Sequence, residues 1–117
     1  MYKFQKLTVW QEAMKLALQC YKLAALLPKL ETYALADQLR RAVISISLNI
    51  AEGSGADTDK EFCRYLLLAR KSLYEVVNIL LLVQKLYPDI KLNNAFADCD
   101  NIGRLLNGLI NKLKSDS

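Results

Sequence analysis

Residues 35–55 read LADQLRRAVISISLNIAEGSG, and this stretch decides the fold because its polar and apolar residues follow a helical period. Polar side chains recur every three or four residues and so form one stripe along a helix. The stripe consists of Asp37, Arg41, Ser45, Asn49 and Glu52. Between Ala42 and Ala51, every other residue except Ser47 is apolar. We therefore expect part of the stripe to be buried, where its members need hydrogen-bonding or ionic partners.

The next helix along the chain is the predicted source of those partners. An antiparallel hairpin that turns near residues 55–56 brings the end of one helix level with the start of the next. The pairs that this register predicts are Glu52 with Lys60 or Arg64, and Arg41 with Glu75. On this interpretation the stripe is a structural polar network that specifies how the second and third helices dock.

The segment EGSG at residues 52–55 invites comparison with a phosphate-binding loop. Such a loop needs the pattern G-x-x-x-x-G-K-[ST], with a lysine that reaches the phosphates. The segment lacks both the spacing and the lysine, and acidic residues follow it. Gly53 or Gly55 is instead predicted to be the left-handed residue that closes the second helix.

Four helices are predicted from apolar residues at helical spacing and from the placement of proline and capping residues. Their ranges are about 8–27, 32–53, 58–87 and 93–114, within a single domain of residues 1–117. Thr8, Thr32 and Thr58 are the predicted caps of the first three helices. No run alternates as a strand does. The predicted fold class is all-α, an up-down-up-down antiparallel four-helix bundle.

Two glycines, Gly103 and Gly108, lie inside the fourth predicted helix. A glycine costs about 1 kcal/mol relative to alanine in a helix interior. The pair therefore indicates either close approach of another backbone or a weak, frayed helix.

The composition argues against an enzyme and against a metal or cofactor site. The chain has 117 residues and no histidine, so it lacks the commonest general base and metal ligand. Its three cysteines are far apart and form no C-x-x-C pair, which favours buried apolar positions. No small-molecule substrate is indicated. The acidic cluster of Asp57, Asp59 and Glu61 is better explained as charge at a helix N-terminus than as carboxylate catalysis.

No apolar run approaches the roughly 18 to 20 residues that cross a bilayer. The N-terminal segment becomes polar too early for a signal peptide. We therefore expect a cytoplasmic protein without a membrane role.

The formal net charge is +4, and residues 1–30 carry five lysines against one glutamate. A basic surface is compatible with nucleic acid or another acidic partner, although a solvated lysine face explains the charge equally well. The candidate nucleic-acid contacts are Lys3, Lys6, Lys15 and Lys22, with Arg40 and Lys71 behind them.

The second and third predicted helices carry more apolar surface than one bundle can bury. A helix in a monomeric bundle needs an apolar stripe of little more than 100°. Residues 42–51 and 79–83 are apolar in nearly every direction. Self-association into a homo-oligomer is the simplest way to cover the excess.

Four segments together resemble a known bacterial family. They are LTVWQEAMKLALQCYKL, LADQLRRAVISISLNIAEGSG, KEFCRYLLLARKSLYEV and IGRLLNGLINKLK, and they span nearly the whole chain. The resemblance is to the four-helix-bundle 23S rRNA intervening-sequence proteins, also called the S23 ribosomal protein family. It implies a homopentameric ring and no catalytic site. The chain is also similar to the retroelement accessory variability proteins, which bind nucleic acid and a reverse transcriptase.

Two functions from different classes follow. The first is a non-enzymatic homo-oligomeric protein whose partner is RNA or another nucleic acid, or a reverse-transcriptase-like protein that handles RNA. Because basic and aromatic residues are not interleaved, RNA binding is predicted to be largely independent of sequence. The second is a protein–protein adaptor or scaffold that uses apolar surface and has no nucleic-acid role.

Overall fold

The computed structural model describes residues 1–116, and within them it contains four α-helices and no strand. The helices are α1 (Thr8–Leu26), α2 (Leu35–Ser54), α3 (Asp59–Leu86) and α4 (Asn93–Asp116). Short 3-10 segments occupy Lys3–Lys6 and Lys29–Glu31. The molecule measures 46 × 22 × 20 Å. The predicted all-α class with four helices is confirmed.

The four helices surround one apolar core. Each helix contributes buried residues at intervals of three or four, as Leu16 and Cys20 do on α1 and Ile46 and Ile50 do on α2. Among the described residues, the backbones of α1 and α3 each pack closely against those of α2 and α4, whereas no Cα atoms of α1 and α3 lie within 8 Å of each other. Helices α1 and α3 therefore lie diagonally across the core, and their outer faces point in different directions.

Contacts between α3 and α4 run in opposite order along the two helices. The Cys63 thiol lies 3.9 Å from the Ile110 carbonyl oxygen, near the start of α3 and towards the end of α4. Further along α3, Arg70 Nη1 donates to Asn107 Oδ1 at 2.9 Å. These contacts fix the register of the two helices.

One of the predicted threonine caps forms and two do not. Thr58 Oγ1 accepts from the Glu61 backbone N–H at 3.1 Å, so α3 begins as predicted. The cap residue of α1 is Leu7, and the Gln11 side chain donates to the Gln5 carbonyl at 2.8 Å instead of completing a capping box with Thr8. The residues before α2 form a 3-10 turn, so Thr32 ends that turn and α2 begins only at Leu35.

The predicted left-handed glycine at the end of α2 is wrong, because no described residue has a positive φ. Gly53 lies within the helix, and Gly55 follows it with φ −86° and ψ 1°. Backbone bonds from Gly55 N–H to Glu52 and from Ala56 N–H to Gly53 close the last turn. Gly53 is required for another reason: an added Cβ would lie 2.6 Å from Tyr65 Cβ on α3.

The glycines of α4 do not mark close approach of another backbone within this chain. A Cβ at Gly103 would meet Leu73 Cδ2 at 3.6 Å, which is ordinary van der Waals contact. A Cβ at Gly108 would have no atom within 4 Å. The backbone approach predicted from these two glycines is therefore wrong for the isolated chain.

The cysteines of the core should be chemically inert in the folded protein. Burial and neighbouring acidic groups raise the pKa of Cys20 and of Cys99 to about 12. A raised pKa lowers the fraction of the thiol that is present as thiolate, which is the reactive form. In a Cys63→Ser variant, we expect Ellman's reagent at pH 8 to react with the two remaining thiols only after guanidinium is added. Rapid reaction without denaturant would contradict this packing.

Candidate functional site

The polar stripe of α2 bonds along its own helix. Arg41 Nε donates to Asp37 Oδ2 at 2.9 Å, as i,i+4 spacing allows. Ser45 Oγ donates to the Arg41 carbonyl at 3.3 Å, and Asn49 Nδ2 donates to the Ser45 carbonyl at 2.8 Å. The partners of the stripe are thus local backbone and side-chain groups on α2.

The predicted cross-helix ion pairs are wrong. Arg64 binds Glu61 on its own helix, at 2.6 Å from Nη2 and 3.1 Å from Nε, and this bond lowers the pKa of Glu61. The side chains of Glu52, Lys60 and Glu75 are exposed, and none takes part in the ion pairs of residues 1–116. No polar residue of the described chain is fully buried. The stripe lies at the edge of the buried face, so Arg41 pairs with Asp37 one helical turn away and Glu52 is exposed.

The six basic residues predicted to contact nucleic acid do not form one patch. Lys3 and Lys6 lie in the first 3-10 segment, whereas Lys22 lies near the far end of α1. Lys15 is on α1 and pairs with Glu12 at 3.3 Å. Lys71 is exposed on α3, which is diagonal to α1.

Arg40, the sixth of these residues, supports the connection between α1 and α2. Its side chain is half-buried, and Nη2 donates to the Thr32 carbonyl at 3.4 Å. From the end of α3, Tyr87 OH donates to Glu31 Oε2 at 2.5 Å, and this bond raises the pKa of Tyr87. These two bonds hold the connection against α2 and against the end of α3.

The fixed connection carries two large side chains that the sequence analysis missed. Leu30 is 85% exposed and Tyr33 is 93% exposed. They lie in the segment PKLETY, which the sequence interpretation treated only as a helix boundary. The sequence did contain a signal of their exposure: a leucine and a tyrosine follow Lys29 in a linker that is too short to bury them.

Positive charge is in excess at this end of the molecule, which we call the turn end: residues 22–41 together with residues 85–98, which include the start of α4 and are joined to the connection by the Tyr87–Glu31 bond. Outside the Arg41–Asp37 pair, five cationic side chains there face three carboxylates, which are Glu31, Asp89 and Asp98. The five are Lys22, Lys29, Arg40, Lys85 and Lys91. None of the four lysines takes part in the ion pairs of the described residues.

The opposite end is nearly neutral by comparison. The start of α1 packs beside Leu105 and Leu109, and the start of α3 lies beside Lys114, so these segments share one end. In the described residues there, six cationic side chains face five carboxylates. The cations are Lys3, Lys6, Lys60, Arg64, Lys112 and Lys114, and the carboxylates are Glu52, Asp57, Asp59, Glu61 and Asp116.

Apolar side chains also remain exposed along the outer faces of the helices. On α2, Ile44 and Leu48 are 42% and 49% exposed. On α1, Leu18 is 66% exposed and lies between Met14 and Tyr21, at intervals of four and three residues. This spacing matches the seam along which helices pack in coiled coils. On α3, Leu81 and Leu82 are exposed as well, so the apolar segment of residues 79–83 has side chains at the surface, as predicted from its sequence.

Few charged side chains line the groove between α3 and α4. The groove between α3 and α4 encloses about 430 Å³ and has an apolar floor that includes Leu73 and Val77. Its charged lining is limited to Asp100 and Arg104. Across residues 1–116, no three acidic or cysteine side chains are grouped so as to hold a metal ion. None of the helices there is long and apolar enough to cross a membrane.

Comparison with family models matches residues 5–108 to the 23S rRNA-intervening sequence protein family. The chain belongs to this family. The resemblance inferred from the four sequence segments is therefore confirmed. Comparison with curated proteins finds no match.

A solved structure supports the fold of this family member. It is a protein of unknown function from the S23 ribosomal protein family of Bacteroides thetaiotaomicron. The TM-score is 0.65 at 20% identity, over 92% of this chain and 96% of that one. At this identity the likeness concerns the fold alone. Neither family description names a catalytic activity.

Proposed function

We propose that this protein is a non-enzymatic, homo-oligomeric protein that binds RNA largely without sequence specificity. The positive excess at the turn end carries this proposal, because five cationic side chains face three carboxylates there, compared with six and five at the opposite end. The description of the family refers to ribosomal RNA, which agrees with an RNA partner. Neither a cofactor, a small-molecule substrate nor a membrane enters this function.

Self-association is part of the proposal. Each chain is an up-down-up-down antiparallel bundle, and copies pack through the exposed apolar faces of α1 and α2 into a ring, with a pentamer expected from the family resemblance. A ring multiplies the charge of +4 per chain and so strengthens the field that attracts phosphates. The assembly is also where the unburied apolar side chains find partners.

RNA binding through these cations should depend steeply on salt. Three to five phosphate contacts on a single strand predict a loss of affinity of about 20- to 100-fold between 50 and 200 mM salt, because each contact releases counterions. Fluorescence anisotropy with a labelled single-stranded RNA measures this slope. Failure to bind RNA at 50 mM salt would contradict the proposed function. An affinity that does not change with salt concentration would exclude the phosphate contacts.

The exposed apolar faces favour a second function, that of a protein–protein adaptor. In that case Leu18, Ile44 and Leu48 would hold another protein rather than a second copy. A reverse-transcriptase-like protein is the partner that the family resemblance suggests. A pull-down repeated after nuclease treatment separates the two functions, since an adaptor keeps its partner and a protein tethered by RNA loses it.

A further inference from the structure

The α1–α2 connection presents two large side chains on a fixed support. Tyr33 is 93% exposed and Leu30 is 85% exposed, so each projects into solvent with little contact to its own chain. The backbone beneath them is held by Arg40 at Thr32 and by Tyr87 at Glu31. A side chain on a fixed support loses less conformational freedom when it binds, which favours binding.

Two cationic residues adjoin this projection. Lys29 directly precedes Leu30, and Arg40 reaches the residue next to Tyr33. The remaining lysines of the turn end come from α1 and from either side of Tyr87. An exposed aromatic ring among cations is the arrangement by which proteins hold single-stranded nucleic acid, with lysine or arginine on the phosphates and the ring against a base.

We propose that the turn end binds single-stranded RNA, and that Tyr33 stacks on an unpaired base while Lys29 and Arg40 contact the adjacent phosphates. This inference rests on the proposed RNA-binding function and adds the site, the strandedness and the stacking residue. Stacking does not discriminate strongly between bases, so it agrees with binding that is largely independent of sequence. Two copies that met through this end would bring like charges together, which favours RNA as the occupant.

A second exposed tyrosine provides a matched comparison. Tyr2 is 73% exposed beside Lys3, in the nearly neutral opposite end. One face of its ring already stacks on Phe4, with ring centroids 5.8 Å apart and planes 12° apart. Because that face is occupied and the surrounding charge is balanced, Tyr2 should contribute little to RNA binding.

The experiment measures anisotropy of a labelled oligouridine of about 15 nucleotides, within the usual range for such sites, and of a duplex of the same length. Loss of one base–aromatic stack predicts that Tyr33→Ala weakens single-strand binding about 5- to 100-fold. Tyr33→Phe keeps the ring and should bind within about twofold of wild type. Duplex binding should not change, and Tyr2→Ala should behave as wild type on both RNAs.

Several outcomes would overturn this site. If wild type binds oligouridine but Tyr33→Ala binds it equally well, the turn end is not the single-strand site, although the proposed function survives. If wild type binds neither RNA at 50 mM salt, the proposed function itself fails. If Tyr33→Ala changes the oligomer mass in native mass spectrometry, this end is an interface between copies. Circular dichroism at 222 nm confirms that each variant is folded.

Discussion

Replacing Leu18 and Leu48 together by glutamate should convert the proposed homo-oligomer into a monomer of 13.3 kDa without unfolding the chain. Both side chains point away from the core, at 66% and 49% exposure, so the fold of the single chain does not depend on them. If they are covered by another copy, each new carboxylate is buried without a partner, which costs several kcal/mol. Since about 1.4 kcal/mol is a tenfold change in affinity, the dissociation constant should rise at least a thousandfold.

Native mass spectrometry and light scattering measure the mass of this variant at the concentration used for wild type. The matched control places the same two charges on the polar outer face of α4, as Asn94→Glu with Asn111→Glu, where both side chains are exposed. The control should keep the wild-type mass. A Leu18→Glu, Leu48→Glu variant that also keeps it would exclude α1 and α2 as the contact surface. A monomeric wild type would contradict self-association altogether.

The sequence was sufficient to predict the class of the fold because burial repeats with the helical period. The core positions of α1, among them Leu16 and Cys20, occur at the spacing from which the helix was predicted. Helix starts were less predictable, because a preceding 3-10 turn can take over the cap, as it does before Thr8 and Leu35. Of the three threonines, Thr58 is the one that caps its helix, because its own backbone is extended (φ −130°, ψ 154°) and its hydroxyl reaches the Glu61 N–H.

The predicted polar network failed because periodicity gives the spacing of a stripe but not its direction. Arg41, Ser45 and Asn49 flank the buried face of α2 rather than cross it, so bonds one turn away satisfy them. The distribution of charge along the sequence also grouped lysines that the bundle places on different sides, such as Lys15 and Lys71. Tyr33 was missed because its exposure depends on how the linker folds, and a periodic pattern of apolar residues does not describe a linker.

The docking of α2 on α3, which the sequence assigned to charged pairs, depends instead on a missing side chain. An added Cβ at Gly53 would lie 2.6 Å from Tyr65 Cβ and 2.9 Å from Phe62 Cδ1. Tyr65 Cβ is attached directly to the backbone of α3, so it cannot rotate away. The two helices must separate to admit a methyl group.

Gly53→Ala should therefore lower the free energy of unfolding by about 1–3 kcal/mol, the usual cost of overpacking, even though alanine favours a helix over glycine by about 1 kcal/mol. Gly108→Ala is the matched control with the opposite sign: no atom lies within 4 Å of its added Cβ, so only the gain in helix propensity remains. Urea denaturation measures the free energy of unfolding of each variant and of wild type. All are unfolded at the same protein concentration, because oligomerisation adds to the measured stability. If both variants gained stability, α2 and α3 would not be in the close contact that Gly53 makes here, and the register of this hairpin would have to change.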